Sequence, residues 1–171
     1  TVIDPKPHDL THPCGIPYAL AGRLDAGMLC QDIALDAMGV RKVRARATRI
    51  DPSRGVVLTD GESDTGEIPF DRAIIATGFT PFIPPIHGAR ELLGKGLFTL
   101  SSVDDLEAIS AVAPGSGPCL VIGAGAIGLE AAVAMKRFRG EVTVAEAQGQ
   151  ILPGVLDPDM SSILEKRLEK A

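Results

Sequence analysis

Apolar positions along this chain come in short bursts, and the stretch from 118 to 147, PCLVIGAGAIGLEAAVAMKRFRGEVTVAEA, has the sharpest pattern. An apolar run at 120–122 precedes three glycines. An alanine-rich stretch at 129–137 follows, then an alternating run that ends at Glu146. That order predicts strand, turn, helix and strand. Upstream, residues 2–4 predict a short strand closing on an acid. Residues 24–38, with Leu24, Met28, Ile33, Leu35 and Met38 at imperfect helical spacing, predict a helix. Three runs, 43–50, 55–60 and 66–68, are separated by Asp51-Pro52-Ser53-Arg54-Gly55 and Gly61-Glu62-Ser63-Asp64, and Pro69 stops the last; they predict an antiparallel meander. Residues 72–77 predict a buried strand, Pro81, Pro84 and Pro85 a stiff connection, and residues 97–100 another strand. Ser102-Val103-Asp104-Asp105 is a variant capping box ahead of a helix at 106–112. Residues 113–118 read as a loop, and SSILEKRLEKA at the C-terminal end as a helix without a Gly or Asn cap.

Gly123, Gly125 and Gly128 have the spacing of a dinucleotide fingerprint, and each has a separate physical task. Gly123 lets the backbone leave the strand sharply, and Gly125 lets it approach a pyrophosphate with no Cβ in the way. Gly128 lets the helix lie close on the strand, while the helix N-terminus supplies amide donors and positive dipole to the phosphates. Glu146 stands 18 residues after the last glycine, where a carboxylate accepts hydrogen bonds from the adenosine ribose hydroxyls. No Arg or Lys occurs from 147 to 154 to neutralise a 2′-phosphate, so the pattern favours NAD(H) over NADP(H). A tight strand-to-helix turn without ligand is the plain alternative.

Composition narrows the partners. With 45% hydrophobic and 23% charged residues, the 171-residue chain is an ordinary globular one, long enough to bury a core. A net charge of −5 argues against bulk electrostatic binding to nucleic acid or to anionic membrane. No apolar run approaches the length of a membrane span, and no signal-peptide pattern opens the chain. Three cysteines at unrelated positions make no disulfide framework, which fits a reducing, cytoplasmic setting. A Rossmann unit needs more parallel strands than the pair around the glycines, so the chain is expected to be an internal piece of a larger protein.

Two further segments join the fingerprint. FDRAIIATGFTPFIPPIHG, residues 70–88, resembles the segment of the flavoprotein pyridine nucleotide-disulfide oxidoreductases in which a strand delivers Ala76-Thr77-Gly78 and a proline-punctuated linker. In that family it lies where the FAD domain passes into an inserted NAD domain. HPCGIPYALAG, residues 12–22, is similar to the redox-cysteine segment of the single-cysteine branch: coenzyme A disulfide reductases, persulfide reductases and NADH oxidases. Asp4, ten residues before Cys14, stands where family members carry an acid on the FAD ribose, most often a Glu. The strand holding Ala47 resembles the one whose backbone meets the FAD adenine.

The resemblance implies an α/β fold made of parts of two Rossmann-like domains. Residues 1–100 would be an FAD-domain remainder with a β-meander, and 101–171 the start of the NAD domain. It implies FAD and NAD as cofactors and Cys14 as the redox centre. Asp4, Ala47, Ala76, Thr77 and Gly78 would lie on the flavin side. Gly123, Gly125, Gly128, Glu146 and, near the nicotinamide end, Glu130 would lie on the NAD side. The substrate would be a small disulfide or persulfide, such as coenzyme A disulfide, or oxygen or peroxide if the protein is an NADH oxidase. The family's homodimer surface, its first glycine motif and its later flavin motif fall outside these residues. Ala19 occupies the position of the partner thiol in two-cysteine relatives, which excludes a CxxxxC dithiol here. A non-catalytic dinucleotide-binding module is the reading from another class.

Other candidates have plainer readings. His8, His12 and Cys14 have zinc-ligand chemistry but no fourth ligand at supporting spacing, so no metal is expected. The basic run from Arg41 to Arg49 reads as the solvated face of a strand. Glu130 is expected in the first helical turn, where an acid complements the dipole. Cys30, expected on the helix at 24–38, and Cys119, in the fingerprint strand, read as structural.

Overall fold

The computed structural model describes residues 1–61, 66–115 and 117–170. The chain groups into two compact units, Thr1–Thr11 with Cys30–Thr80, and His12–Leu29 with Pro81–Ala171.

In the first unit, β1 (Val2–Ile3) pairs in parallel with β4 (Lys42–Val43), and β2 (Leu10–Thr11) pairs antiparallel with β3 (Cys30–Gln31). The meander is present as β5 (Arg46–Asp51), β6 (Val56–Asp60) and β7 (Gly66–Pro69), antiparallel in chain order. Its first turn closes on Asp51, whose Oδ1 accepts from the Ser53 and Arg54 amides at 3.1 and 3.2 Å. The second turn, around Glu62-Ser63-Asp64, lies outside the described residues. The single strand expected at 43–50 is two. Buried Ala45 turns the chain between β4 and β5, so that β4 serves β1 while β5 serves β6.

Lys42 departs from the solvated-face reading of the basic run. Its Nζ donates to the His8 carbonyl at 2.7 Å and pairs with Asp9 at 2.8 Å, whereas Arg41, Arg44, Arg46 and Arg49 are exposed.

Three expected elements do not form. Residues 24–38 form no continuous helix. They make 3₁₀ turns at Ala26–Leu29 and Leu35–Met38 with β3 between, so Cys30 lies on a strand. Residues 72–77 carry the composition of a doubly buried strand, yet no strand forms, and Ile74 is 93% exposed. An apolar run becomes a strand only where neighbours accept its ladder, and among the described residues none lies beside this one. Residues 97–100 likewise form no strand; Leu97 makes an isolated bridge to Leu93, beside the short helix α2 (Ala89–Leu92).

The second unit holds the fingerprint. α1 (Ile16–Leu20), α3 (Val103–Val112), β8 (Cys119–Ile122), α4 (Ala126–Met135), β9 (Val142–Ala145) and α5 (Pro158–Leu168) form it. β8 and β9 run parallel with Leu120 opposite Thr143 and Ile122 opposite Ala145, the pairing of a βαβ unit. Ile16, Leu20, Leu29, Leu106, Ala134 and Met135 make one buried core, and Ala124, Leu129 and Ile151 a second. The Arg139 guanidinium closes the C-terminal end of α3, donating to the Val112 carbonyl at 2.9 Å. Ser116 in the expected loop and the terminal Ala171 are outside the described residues.

The capping box at α3 is fully formed. The Asp105 amide donates to Ser102 Oγ at 3.1 Å, and Asp105 Oδ2 accepts from the Ser101 and Ser102 amides at 2.7 and 3.1 Å. Thr99 and Ser101 hydroxyls add bonds at 3.0 and 2.8 Å. Burial works against ionisation of Asp105, but bonds from the Ser101 hydroxyl and amide, Thr99 and Ser102 outweigh it and hold the carboxyl below the usual range. A carboxylate with a depressed folded value contributes stability above its unfolded value, near pH 4, and loses it as pH falls through the folded value. Asp105→Ala should therefore cost about 1–2 kcal/mol at pH 7 by thermal or urea unfolding. The difference from the parent chain should shrink steadily below about pH 4.

Candidate functional site

The glycine turn is built as its spacing requires. Gly123 leaves β8 at φ 102°, a conformation that side chains resist, and its amide donates to the Ala145 carbonyl at 2.7 Å. Gly128 faces Gly123 directly. A Cβ at 128 would overlap the Gly123 carbonyl oxygen and lie 3.1 Å from its carbon. Gly125 differs, because nothing stands within 4 Å of where its Cβ would be and its φ of −74° is ordinary. Its glycine is therefore needed neither for backbone conformation nor for packing inside the chain. Besides the ordinary preference for glycine at an N-cap, it leaves space for a group approaching the N-terminus of α4.

Glu146 follows β9 immediately and reaches back to the turn. Its Oε2 accepts from the Ala124 amide at 2.7 Å and its Oε1 from the Gln148 amide at 2.9 Å. These bonds, the Ala124 one foremost, hold the carboxyl below its usual range, so it is an anion and an acceptor at neutral pH. Ala124, Val144, Glu146, Gln148, Ile151 and Leu168 line a groove of about 430 Å³ beside it. The groove combines apolar side chains with the fixed Glu146 acceptor, a mix that suits an adenosine end, and Glu165 and Glu169 also line it. Open space at Gly125, a helix N-terminus and a placed carboxylate fit a dinucleotide.

Several residues behind this site were not legible as sequence. Buried Ala124 is a hub: its amide serves Glu146, and its carbonyl accepts from the Leu152 amide at 2.8 Å. Leu152 pays with φ 48°, a left-handed conformation unusual for leucine. Buried Ser161 on α5 donates to the Ile151 carbonyl at 2.8 Å and ties that helix to the same loop. A positive-φ leucine has no sequence signature, since glycine or asparagine would be the expected residue.

The helix begins at Ala126, so Glu130 lies beyond the first turn and its role toward the dipole is not the one expected. It is exposed on the wall of a second groove, about 530 Å³, with Pro17 and Tyr18 of α1, Val133 and Arg137 on the α4 side and Leu164 of α5. Cys14 sits exposed on a 3₁₀ turn, Pro13–Gly15, that leads directly into α1. Gly15 behind it is crowded: a Cβ there would lie 2.6 Å from Leu29 Cδ2 and 3.0 Å from Leu24 Cδ2. Cys119 is half-buried in β8, and burial pushes its thiol up.

In the other unit, Asp4 ends β1, its amide donating to the Val43 carbonyl at 3.1 Å and its Oδ1 accepting from the Lys6 amide at 2.9 Å. Ala47 lies on β5 at a register shift between Ala47 and Arg49. Ala76, Thr77 and Gly78 are exposed, with Gly78 at φ 73° and open space around it. Ala76, Thr77 and Gly78 present exposed backbone and Asp4 a carboxylate, which are compatible with a nucleotide. His8 Nε2 is hydrogen-bonded to Thr11 Oγ1 at 2.8 Å, and among the described residues no three His, Cys, Asp or Glu side chains gather to hold a metal ion.

A parallel βαβ unit with this turn defines a dinucleotide-binding α/β protein, and the comparisons with known proteins agree. The chain belongs to the pyridine nucleotide-disulphide oxidoreductase family, which it matches over residues 1–171. Membership implies use of FAD and NAD(H). It is 35% identical over 169 residues to an NADH oxidase of Methanocaldococcus jannaschii, covering 92% of this chain and 36% of the relative. Among solved structures it superposes on a NAD-dependent persulfide reductase from A. fulgidus with a TM-score of 0.84 and 31% identity, over 99% of this chain and 33% of the other. The reduced CoADR-RHD of Bacillus anthracis, at 24% identity and TM-score 0.86, shares the fold, over 98% of this chain and 31% of the other. The chain thus spans about a third of the length of these relatives. Among the described residues no helix is long and apolar enough to cross a membrane.

Proposed function

We propose that the protein to which these residues belong is an NADH-using flavoprotein oxidoreductase that reduces a small disulfide or persulfide through Cys14. The observation that carries the NADH part is Gly125, open and unstrained at the head of α4, beside a groove that ends on the anchored Glu146 carboxylate. In this reading residues 1–100 are the FAD-domain remainder and 101–171 the beginning of the NAD domain. The amides at the start of α4 hold the pyrophosphate, and Glu146 accepts from the ribose hydroxyls. Asp4, Ala47 and Ala76-Thr77-Gly78 hold the flavin nucleotide, and Glu130 borders the nicotinamide end. NADH and flavin, when bound, supply two electrons as hydride and relay.

The exposed Cys14 sulfur is the group that meets substrate. As thiolate it attacks one sulfur of R–S–S–R, forming a Cys14–S–S–R mixed disulfide and releasing RS⁻. Two electrons then cleave that bond, restoring the Cys14 thiolate and releasing a second RS⁻, which takes a proton from solvent. Cys14, Cys30 and Cys119 are all free, in keeping with a reducing cytoplasm as the setting. An NADH oxidase is the second reading, favoured by the Methanocaldococcus relative. It would take oxygen or peroxide in place of the disulfide, with Cys14 passing through a sulfenic acid.

Steady-state kinetics of the full-length protein with NADH and NADPH tests the site. A 2′-phosphate would meet the Glu146 carboxylate with no cation between 147 and 154 to offset it, so kcat/KM should favour NADH by about tenfold or more. Glu146→Ala should lower kcat/KM for NADH by about 10–100-fold, the worth of one or two charged hydrogen bonds. A wild-type protein that prefers NADPH overturns the assignment.

A further inference from the structure

The second unit carries both proposed centres, Cys14 before α1 and the dinucleotide turn before α4, and these two helices pack on one another through Ile16, Leu20, Ala134 and Met135. α1 is only five residues long, too short to fix its own direction. Its C-terminal end is capped at Ala21 and turns at Gly22, φ 66°. The Ala21 carbonyl accepts a hydrogen bond at 2.9 Å from Nη1 of Arg137, which follows the last turn of α4. The guanidinium is itself held: its carbon lies 5.4 Å from the centre of the Phe138 ring, and Phe138 packs on the core that contains Ile16 and Leu20. The same guanidinium fills the space a side chain at 22 would use, since a Cβ on Gly22 would coincide with Arg137 Nη1.

We propose that Arg137 is a positioning residue for the redox sulfur: through Ala21 and Gly22 it pins the end of the Cys14 helix to the helix that seats the dinucleotide. The inference rests on the reading of Cys14 as the redox sulfur, and Gly22 completes the device by leaving room for the guanidinium. A sulfur that must meet both an electron donor and a substrate loses rate steeply with small displacements, so a loosened α1 should slow the thiol step and spare the hydride step.

Arg137→Ala, Arg137→Lys, Gly22→Ala and the Gly22→Ala/Arg137→Ala pair should be compared in the flavin-loaded full-length protein. Expected for Arg137→Ala is disulfide turnover per bound flavin lower by about 5–10-fold, with anaerobic flavin bleaching by NADH within about twofold of wild type. Amide exchange at 21–23 should accelerate by a similar factor. Lysine, which still donates one hydrogen bond, should recover about half the loss on a logarithmic scale. Gly22→Ala should reproduce the loss alone, through ejection of the guanidinium and the strain at positive φ, but add little once Arg137 is gone. Unchanged turnover per flavin, equal loss in both half-reactions, or strictly additive losses overturns the proposal. If the wild type reduces no disulfide at all, the proposed function fails while exchange at 21–23 still decides the pin: acceleration in Arg137→Ala supports it, and wild-type exchange refutes it.

Discussion

NADH binding should weaken by about two orders of magnitude when Gly125 is replaced by valine, while the protein keeps its fold. The separation follows from what surrounds the residue. Its backbone angles suit any side chain and no atom lies within 4 Å of the added Cβ, so folding meets no clash. The expected folding cost is the loss of glycine at an N-cap, about 1 kcal/mol, or a Tm lower by roughly 2–4 °C. A pyrophosphate held there, as proposed, would in contrast have to retreat from the amides at the head of α4. Charged hydrogen bonds of about 1.5–3 kcal/mol each then lengthen or break. A hundredfold change in Kd is about 2.7 kcal/mol, larger than the folding term, so unfolding cannot account for it. Quenching of NADH fluorescence and a thermal melt on the same sample check both halves. Equal NADH affinity in the variant removes the pyrophosphate from this turn. Gly128 is the converse case, because a side chain there would meet the Gly123 backbone and separate helix from strand before any ligand arrives.

Cys14→Ser in the flavin-loaded full-length protein should leave flavin bleaching by NADH near the wild-type rate and lower disulfide turnover by about three orders of magnitude or more. Serine preserves size and the exposed position on the 3₁₀ turn, so the local fold is not the variable. Its oxygen forms neither a mixed disulfide nor a sulfenic acid, and the electrons have no sulfur to reach. Anaerobic stopped-flow with NADH, followed by turnover with coenzyme A disulfide, separates the two steps. Full disulfide turnover in the serine variant makes Cys14 a structural residue. Oxygen consumption that survives while disulfide turnover is lost belongs to reduced flavin meeting oxygen without the thiol.

What could be learned from sequence alone was the local structure that spacing encodes. Gly123, Gly125, Gly128 and Glu146 sit within one βαβ unit, where every partner lies within about 30 residues of chain, and the observed strand, turn, helix and strand match the expected order. The capping box at Ser102 and Asp105 is equally local and formed, and β5, β6 and β7 pair as an antiparallel meander whose first turn closes on Asp51. Tertiary structure decided whatever depended on distant neighbours. Residues 24–38 have helical spacing but spend it on β3, because Leu10–Thr11 offers a ladder and Leu29 is drawn into the core beside Leu20. Residues 72–77 read as a buried strand but stand exposed, since burial is a property of the sheet around a segment and not of the segment itself. The Arg137–Ala21 bond joins positions 116 residues apart, and Leu152 adopts φ 48° because Ala124 and the α5 helix hold it there. Neither leaves a pattern along the chain: short-range spacing writes turns and caps into sequence, whereas long-range contacts select among conformations that the local residues leave nearly equal in energy.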